Sequence, residues 1–123
     1  MKKLASIVTW RVHIDMMTHT DQLHSILASV KCPDLLLWRI ALSEAETQAL
    51  VTAMRDRVQT VELVNVTLDI EELTQYDGQG HCSELEVWGD MRDRYRERLR
   101  EWAADQGWTT TEDDDRLMME RNS

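Results

Sequence analysis

Residues 32–42, CPDLLLWRIAL, decide the fold prediction because their apolar side chains fall at fixed spacings. The same spacing begins again at residues 4, 58 and 82, so the register recurs at offsets of 28, 26 and 24 residues. An apolar register repeated at such intervals predicts one structural unit that is stacked several times. The register comprises Leu4, Ile7, Thr9, Val12 and Ile14; Cys32, Leu35, Leu37, Ile40 and Leu42; Val58, Val61, Leu63, Val66 and Leu68; and Cys82, Leu85 and Val87.

Each unit is predicted to be a short strand followed by a helix. Apolar and other residues alternate in the middle of the register, as they do in a strand with one buried face. An Asp or Ser then stands where a helix would begin, since its side chain can accept hydrogen bonds from free N–H groups. Ser43 and Glu46 have the spacing of a capping box. The four predicted helix starts are Asp15, Ser43, Asp69 and Asp93.

The last two units have features of their own. The third helix is predicted to be short, with a turn at residues 77–80, because Asp-Gly and Gln-Gly pairs are turn signals. In the fourth unit, five arginines lie mainly outside one apolar stripe, which predicts a helix that caps the array with a charged outer surface. That stripe consists of Tyr95, Leu99, Trp102 and Ala103.

The sequence changes character after residue 108. Residues 109–123, TTTEDDDRLMMERNS, carry an acidic run and show no regular apolar period. They predict an acidic flexible tail. The alternative is a short docking segment formed by Leu117, Met118 and Met119.

The spacing within each register is LxxLxLxxNxL, with other apolar residues replacing several leucines, and the chain therefore resembles a leucine-rich-repeat domain. Unit lengths near 28 residues resemble the ribonuclease-inhibitor-like class, which is found in the C-terminal repeats of NOD-like receptors. The resemblance implies an α/β solenoid of about four units, with a parallel sheet on the concave side and helices on the convex side. The expected domain is 1–108, with units 4–31, 32–57, 58–81 and 82–108, followed by the tail 109–123.

Two observations bear on that resemblance. The ninth position of the motif is usually Asn or Cys in the family, whereas this sequence has Val12, Ile40 and Val66 there. A doubly wound α/β sheet is a competing fold, but its central strands read as nearly continuous apolar runs because both sheet faces are covered. Glu62 and Glu86, between the buried positions, disfavour it.

The strand positions outside the buried register predict a partner-binding surface on the concave face. Three tryptophans are expected in one column, and Trp and Arg are enriched among the residues that dominate binding energy. The alternative is that the tryptophans only pack across neighbouring strands. The predicted binding residues are Trp10, Arg11, Trp38, Arg39, Glu62, Val64, Glu86 and Trp88.

The resemblance implies that the protein acts by recognising another protein, as the ligand-sensing or autoinhibitory repeats of a NOD-like innate immune receptor. The alternatives are a free-standing interaction or inhibitor protein and an unrecognised small α/β enzyme. The expected partner is a protein or peptide ligand. The N-terminal strand begins at Leu4 without a polar cap, which predicts contact with further repeats or a parent chain at that edge.

Composition narrows the classes of partner. The chain has 14 basic and 23 acidic residues and a net charge of −9, which disfavours binding to a phosphate backbone. No apolar run approaches the roughly 20 residues that span a bilayer, and the N-terminal residues do not resemble a secretory signal. We therefore expect a cytoplasmic protein that binds neither nucleic acid nor membrane. Cys32 and Cys82 share a register position and are predicted to be buried free thiols.

The sequence offers no recognisable catalytic or metal-binding motif. His13, His19 and His24 have the spacing of neither a zinc finger nor an HExxH helix. There is no GxxxxGK[ST] loop and no GxSxG, and no Cys/His pair has a recognisable catalytic context. We therefore expect no metal, no cofactor, no catalytic residue and no enzymatic activity.

Overall fold

The computed structural model describes residues 11–15 and 33–121. In this part of the chain, strands and helices form one six-stranded sheet with the order β1-β2-β3-β4-β6-β5. The strands β1 to β4 are parallel to one another, whereas β6 runs antiparallel to both β4 and β5. The elements are β1 (Arg11–Asp15), β2 (Asp34–Trp38), α1 (Glu44–Asp56), β3 (Thr60–Val64), α2 (Ile70–Leu73), β4 (Glu84–Trp88), α3 (Asp90–Gln106), β5 (Trp108–Glu112) and β6 (Arg116–Arg121).

The buried register of the second, third and fourth units is confirmed for the described residues. Leu35, Val61 and Leu85 stand opposite one another in neighbouring strands, and each is at most 1% exposed. The next column, two residues further on, is fully buried as well and consists of Leu37, Leu63 and Val87. These columns pack with the apolar sides of α1 and α3 into one core.

The register predicted for the first unit is wrong. An offset of 28 residues would place Arg11 opposite Arg39, but Arg11 stands opposite Asp34, and Asp15 stands opposite Trp38. Val12 and Ile14 have the alternate spacing of Leu35 and Leu37, and these are the pairs that the strands form. The pairing of β1 with β2 therefore follows the alternation of apolar residues within each strand rather than the 28-residue repeat.

The leucine-rich-repeat solenoid with a parallel sheet is also wrong, because the structure contains a mixed α/β sheet. The predicted flexible tail forms β5 and β6, and Leu117 and Met119 of β6 are fully buried. They lie opposite Val87 and Leu85 of β4. The alternative of a docking segment was therefore the better interpretation. The alternation of Leu117 and Met119 is hard to recognise in the sequence, because the apolar Met118 stands between them and an acidic run precedes them.

The acidic run forms the turn of a hairpin. Asp113 donates its backbone N–H to the carbonyl of Arg116 at 2.9 Å, which closes the turn between β5 and β6. Gly107 ends α3 in the left-handed conformation, with φ of 75° and ψ of 21°, and turns the chain into β5. A charged sequence thus serves as a turn between two ordered strands.

Three aromatic side chains hold the loop after α2 against the hairpin. Trp102 and Trp108 meet edge to face at 5.0 Å, and each lies just over 6 Å from Tyr76. The Tyr76 hydroxyl donates to the carbonyl of Cys82 at 2.6 Å, and burial raises the pKa of Tyr76 to about 12. Trp102 donates in turn to the carbonyl of Tyr76 at 2.8 Å.

The prediction of buried free thiols is confirmed for Cys82. Its side chain is fully buried and free, and burial raises its pKa to about 12. Cys32 lies outside the described residues. Tyr76 and Cys82 thus bracket the turn that the Asp-Gly and Gln-Gly pairs predicted.

Two of the predicted helix starts are confirmed and one is wrong. Ser43 and Glu46 form a complete capping box, and Asp69 caps the four-residue α2 through the N–H of Glu72. The helix α3 begins three residues before Asp93, since Asn65 at the end of β3 accepts the N–H of Asp90 at 2.9 Å. The acceptor comes from another strand, so no local signal announces it. The fourth predicted start, Asp15, is the last residue of β1, and the residues after it lie outside the described part.

Replacing Leu117 by alanine should lower the free energy of unfolding by about 3 kcal/mol, because the change removes a fully buried side chain. Met118→Ala, on the opposite side of β6, should cost less than about 1 kcal/mol. Urea unfolding of both variants measures the difference. Equally small losses would contradict the docking of β6 onto the sheet.

Replacing Gly89 by alanine should cost about 2 kcal/mol or more, because its φ of 69° and ψ of −141° suit glycine alone and a Cβ would collide with Asn65. Gly107→Ala should cost about 1 kcal/mol, because a Cβ there meets no atom within 4 Å. Thermal unfolding compares the two. A larger loss for Gly107→Ala would show that the contact with Asn65 is unimportant.

Candidate functional site

The sheet has one face against the helices and one face that no described helix covers. Met54 of α1, Leu73 of α2 and Leu99 of α3 all approach Leu85 on the same side of the sheet. Side chains alternate along strands, so the residues between the buried columns face the other way. We call this surface the open face. On β2, β3, β4 and β6 it comprises Asp34, Leu36, Trp38, Thr60, Glu62, Val64, Glu84, Glu86, Trp88, Arg116, Met118 and Glu120.

The strand register sorts the open face into three rows that run across the sheet. The first row is largely aromatic, the second is mixed, and the third is mainly acidic. Across β2, β3, β4 and β6 these rows are Trp38, Val64, Trp88 and Arg116; Leu36, Glu62, Glu86 and Met118; and Asp34, Thr60, Glu84 and Glu120. A molecule bound along the strands would therefore contact the first, aromatic row at one end and the third, mainly acidic row at the other.

The aromatic row combines exposed apolar surface with cations. Trp38 is 39% exposed and is the exposed large apolar side chain of the described residues. The guanidinium carbon of Arg39 lies 5.9 Å from the Trp38 ring centre, and that of Arg116 lies 5.7 Å from the Trp88 ring centre. Each pair has cation–π geometry. The arginines orient the rings and leave part of the Trp38 surface accessible.

Two donors at the Trp88 corner have no acceptor. The indole N–H of Trp88 and Nε of Arg116 are the buried side-chain atoms of the described chain that lack a hydrogen-bond partner. Arg116 otherwise contacts Asp113 at 2.7 Å and Glu86 at 3.4 Å. Unpaired buried donors are unusual in folded proteins and are costly. The described residues therefore leave these two donors without a hydrogen-bond acceptor.

The second and third rows place like charges side by side. Glu84 stands opposite Glu120 in the antiparallel pair, and Glu62 stands opposite Glu86 in the parallel pair. Partial burial raises the pKa of Glu84, and the nearby carboxylates of Glu86 and Glu120 raise it further. On β2, β3, β4 and β6 the open face carries five carboxylates and one arginine, so this part of it is negatively charged.

The structure brings five of the eight predicted binding residues onto the open face: Trp38, Glu62, Val64, Glu86 and Trp88. Arg39 follows β2 with a left-handed φ of 60° and lies over the Trp38 ring. Arg11 is in β1 but stands opposite Asp34 rather than Arg39, and Trp10 lies outside the described residues. The predicted column of three tryptophans is therefore described only for Trp38 and Trp88.

Sequence reasoning missed the contribution of β6 to the open face. Arg116 and Glu120 belong to the segment that was predicted to be a flexible tail. The alternation of Leu117 and Met119 was the signal that could have placed them. Glu84 was not predicted either, because its partial burial and its position opposite Glu120 depend on residues distant in sequence.

Two further classes of site were sought within the described residues. Their His, Cys, Asp and Glu side chains form no group of three or more that could hold a metal ion. Among the same residues, no helix has both the length and the apolar character needed to cross a membrane. The open face is therefore the candidate site that the described structure offers.

Comparison of the chain with protein-family models, with curated proteins and with solved structures finds no match. The mixed sheet overturns the prediction of a repeat solenoid. The assignment to NOD-like receptors and innate immunity depended on that fold and is withdrawn with it.

Replacing Glu84 by glutamine should raise the free energy of unfolding by up to about 1 kcal/mol at neutral pH, because it removes repulsion from Glu86 and Glu120. The gain should fade as the pH falls through the raised pKa of Glu84. It should vanish below the ordinary pKa of glutamate, where Glu84 is protonated in both folded and unfolded wild type.

Unfolding by urea across a pH series measures this effect. Glu97→Gln, at an exposed position of α3, removes the same charge outside the open face and should not reproduce the pH-dependent gain. A gain from Glu84→Gln that stays constant down to acidic pH would contradict the electrostatic origin.

Proposed function

We propose that the protein is a recognition module that binds a basic peptide segment of another protein on the open face. The observation that carries this proposal is the aromatic row beside an acidic surface on a sheet face that no described helix covers. The proposal replaces the innate immune role and keeps the broader expectation of a protein or peptide partner.

The aromatic row supplies the apolar part of the proposed contact. Trp38 is exposed, and Leu36 and Val64 beside it are partly buried. Burial of apolar area on binding contributes about 25 cal/mol per Å², and tryptophans are frequent among the dominant residues of interfaces. An aliphatic or aromatic side chain of the partner would therefore pack between Trp38 and Trp88.

The carboxylates supply charge complementarity. Lys or Arg side chains in the partner would relieve the repulsion between Glu84 and Glu120. The net charge of −9 extends this attraction beyond the contact and steers a basic partner toward the protein. A phosphate backbone would meet repulsion at the same place, which favours a basic peptide over a nucleic acid.

The test is an array of Lys- and Arg-rich peptides containing one or two large apolar residues, with matched arrays in which Asp and Glu replace the basic residues. Basic peptides should bind and acidic ones should not. Trp38→Ala should weaken the binding of the selected peptides about 30-fold, because truncation of a dominant interface residue costs about 2 kcal/mol.

Charge is tested with the double variant Glu84→Gln, Glu120→Gln. Its affinity should fall about fivefold, with a shallower dependence on salt, because each partly exposed ion pair contributes about 0.5 kcal/mol. The matched control is Glu97→Gln, Asp105→Asn on α3, which removes two charges at exposed positions away from the open face and should retain affinity. Binding that is indifferent to peptide charge, or the absence of any basic peptide sensitive to Trp38→Ala, would overturn the proposal.

A further inference from the structure

The strand β5 is the outer strand at one edge of the described sheet, where β6 is its neighbour. The backbone N–H of Asp113 donates to the carbonyl of Arg116. This hydrogen bond fixes which backbone groups of β5 face β6. Backbone groups alternate in direction along an antiparallel strand, so Thr111 and Thr109 pair with β6. The N–H and C=O groups of Thr110 point outward, and those at either end of β5 do so too.

Within the described residues, this edge carries one of the features by which proteins usually prevent strand addition, the charged side chain of Glu112. Exposed edges are commonly protected by Lys, Pro, bulges or a covering element. The sequence of β5, WTTTE, has no Lys, Pro or Gly, and its three threonines favour extended structure. The strand is therefore regular, and its outward-pointing backbone groups can pair with another strand.

The one charge of β5 is already neutralised. Glu112 accepts from Nε of Arg96 at 2.6 Å and from Arg100 at 3.1 Å, with Arg92 at 3.7 Å. The hydrogen bond from Arg96 is the main cause that lowers the pKa of Glu112, and the other two arginines contribute. The helix α3 thus holds the carboxylate with three arginines, so the negative charge of β5 is compensated and does not repel a neighbouring strand.

We propose that β5 pairs antiparallel with β5 of a second copy of this chain, about a two-fold axis at Thr110, so that the two sheets become continuous. In this register Thr110 faces the partner's Thr110 and exchanges both backbone hydrogen bonds with it. Thr109 faces the partner's Thr111, and Trp108 faces the partner's Glu112.

The sequence of β5 favours this register over the others. It uses all five residues of the strand and sets no two carboxylates opposite each other. A shift that placed Glu112 opposite the partner's Glu112 would lose most of the hydrogen bonds and bring like charges together. The second copy therefore fits the edge by symmetry as well as by chemistry.

The proposed dimer should respond to salt in the opposite sense to peptide binding on the open face. Each chain carries a net charge of −9, so two copies repel one another and salt should strengthen their association. Binding of a basic peptide should weaken with salt. The two proposals can therefore fail separately.

Sedimentation velocity over a series of protein concentrations should show a reversible monomer–dimer equilibrium that shifts toward dimer as salt is added. Thr110→Pro removes the outward N–H without removing a bond to β6, and Pro is tolerated at strand edges. It should weaken the dimer at least about tenfold, whereas Thr110→Ala keeps the N–H and should dimerise within about threefold of wild type.

Hydrogen exchange of the wild-type protein provides a test that requires no variant. The amide of Thr110 should exchange quickly at low protein concentration and slowly at high concentration. The amides of Thr109 and Thr111 should be protected at both, because they face β6. A chain that stays monomeric at every concentration and salt, or a dimer without protection at Thr110, would overturn the proposal.

Discussion

The antiparallel pairing of β6 with β4 is the constraint on which the rest of the described structure depends. Leu117 and Met119 lie opposite Val87 and Leu85 and extend the buried face of the parallel strands by one strand under α3. Without β6, β4 would be an edge strand with its apolar residues close to solvent. Gly107 makes the return possible, because its left-handed conformation reverses the chain within one residue.

The same strand shapes the open face. Since side chains alternate, the residues that β6 does not bury are placed beside β4, with Arg116 on the Trp88 ring and Glu120 opposite Glu84. Opposed carboxylates lower stability, and the proposed binding of a basic segment would relieve their repulsion. The unpaired donors of Trp88 and Arg116 lie where the aromatic and charged parts of this surface meet.

The arginines of α3 connect the helix to the outer part of the sheet. Arg92, Arg96 and Arg100 follow one another at four-residue intervals, so a single line of the helix surface faces Glu112. Exposed ion pairs individually contribute little, but three cations around one carboxylate more than compensate the single negative charge of β5. The charged surface that resembled the outside of a terminal cap is instead a contact between helix and strand.

The sequence by itself determined the alternation that buries Leu35, Val61 and Leu85, the capping box at Ser43 and the short α2, because each depends on residues close together in the chain. It also indicated Trp38 and Trp88 as surface residues. Only the tertiary structure decided the register of β1, the direction of β6, the start of α3 at Asp90 and the opposition of Glu84 to Glu120. Each of these depends on a partner distant in sequence, such as Asp34 for Arg11 or Asn65 for Asp90. Local periodicity specifies which side of a strand is apolar, whereas the choice of neighbour is made by the free energy of packing the whole sheet.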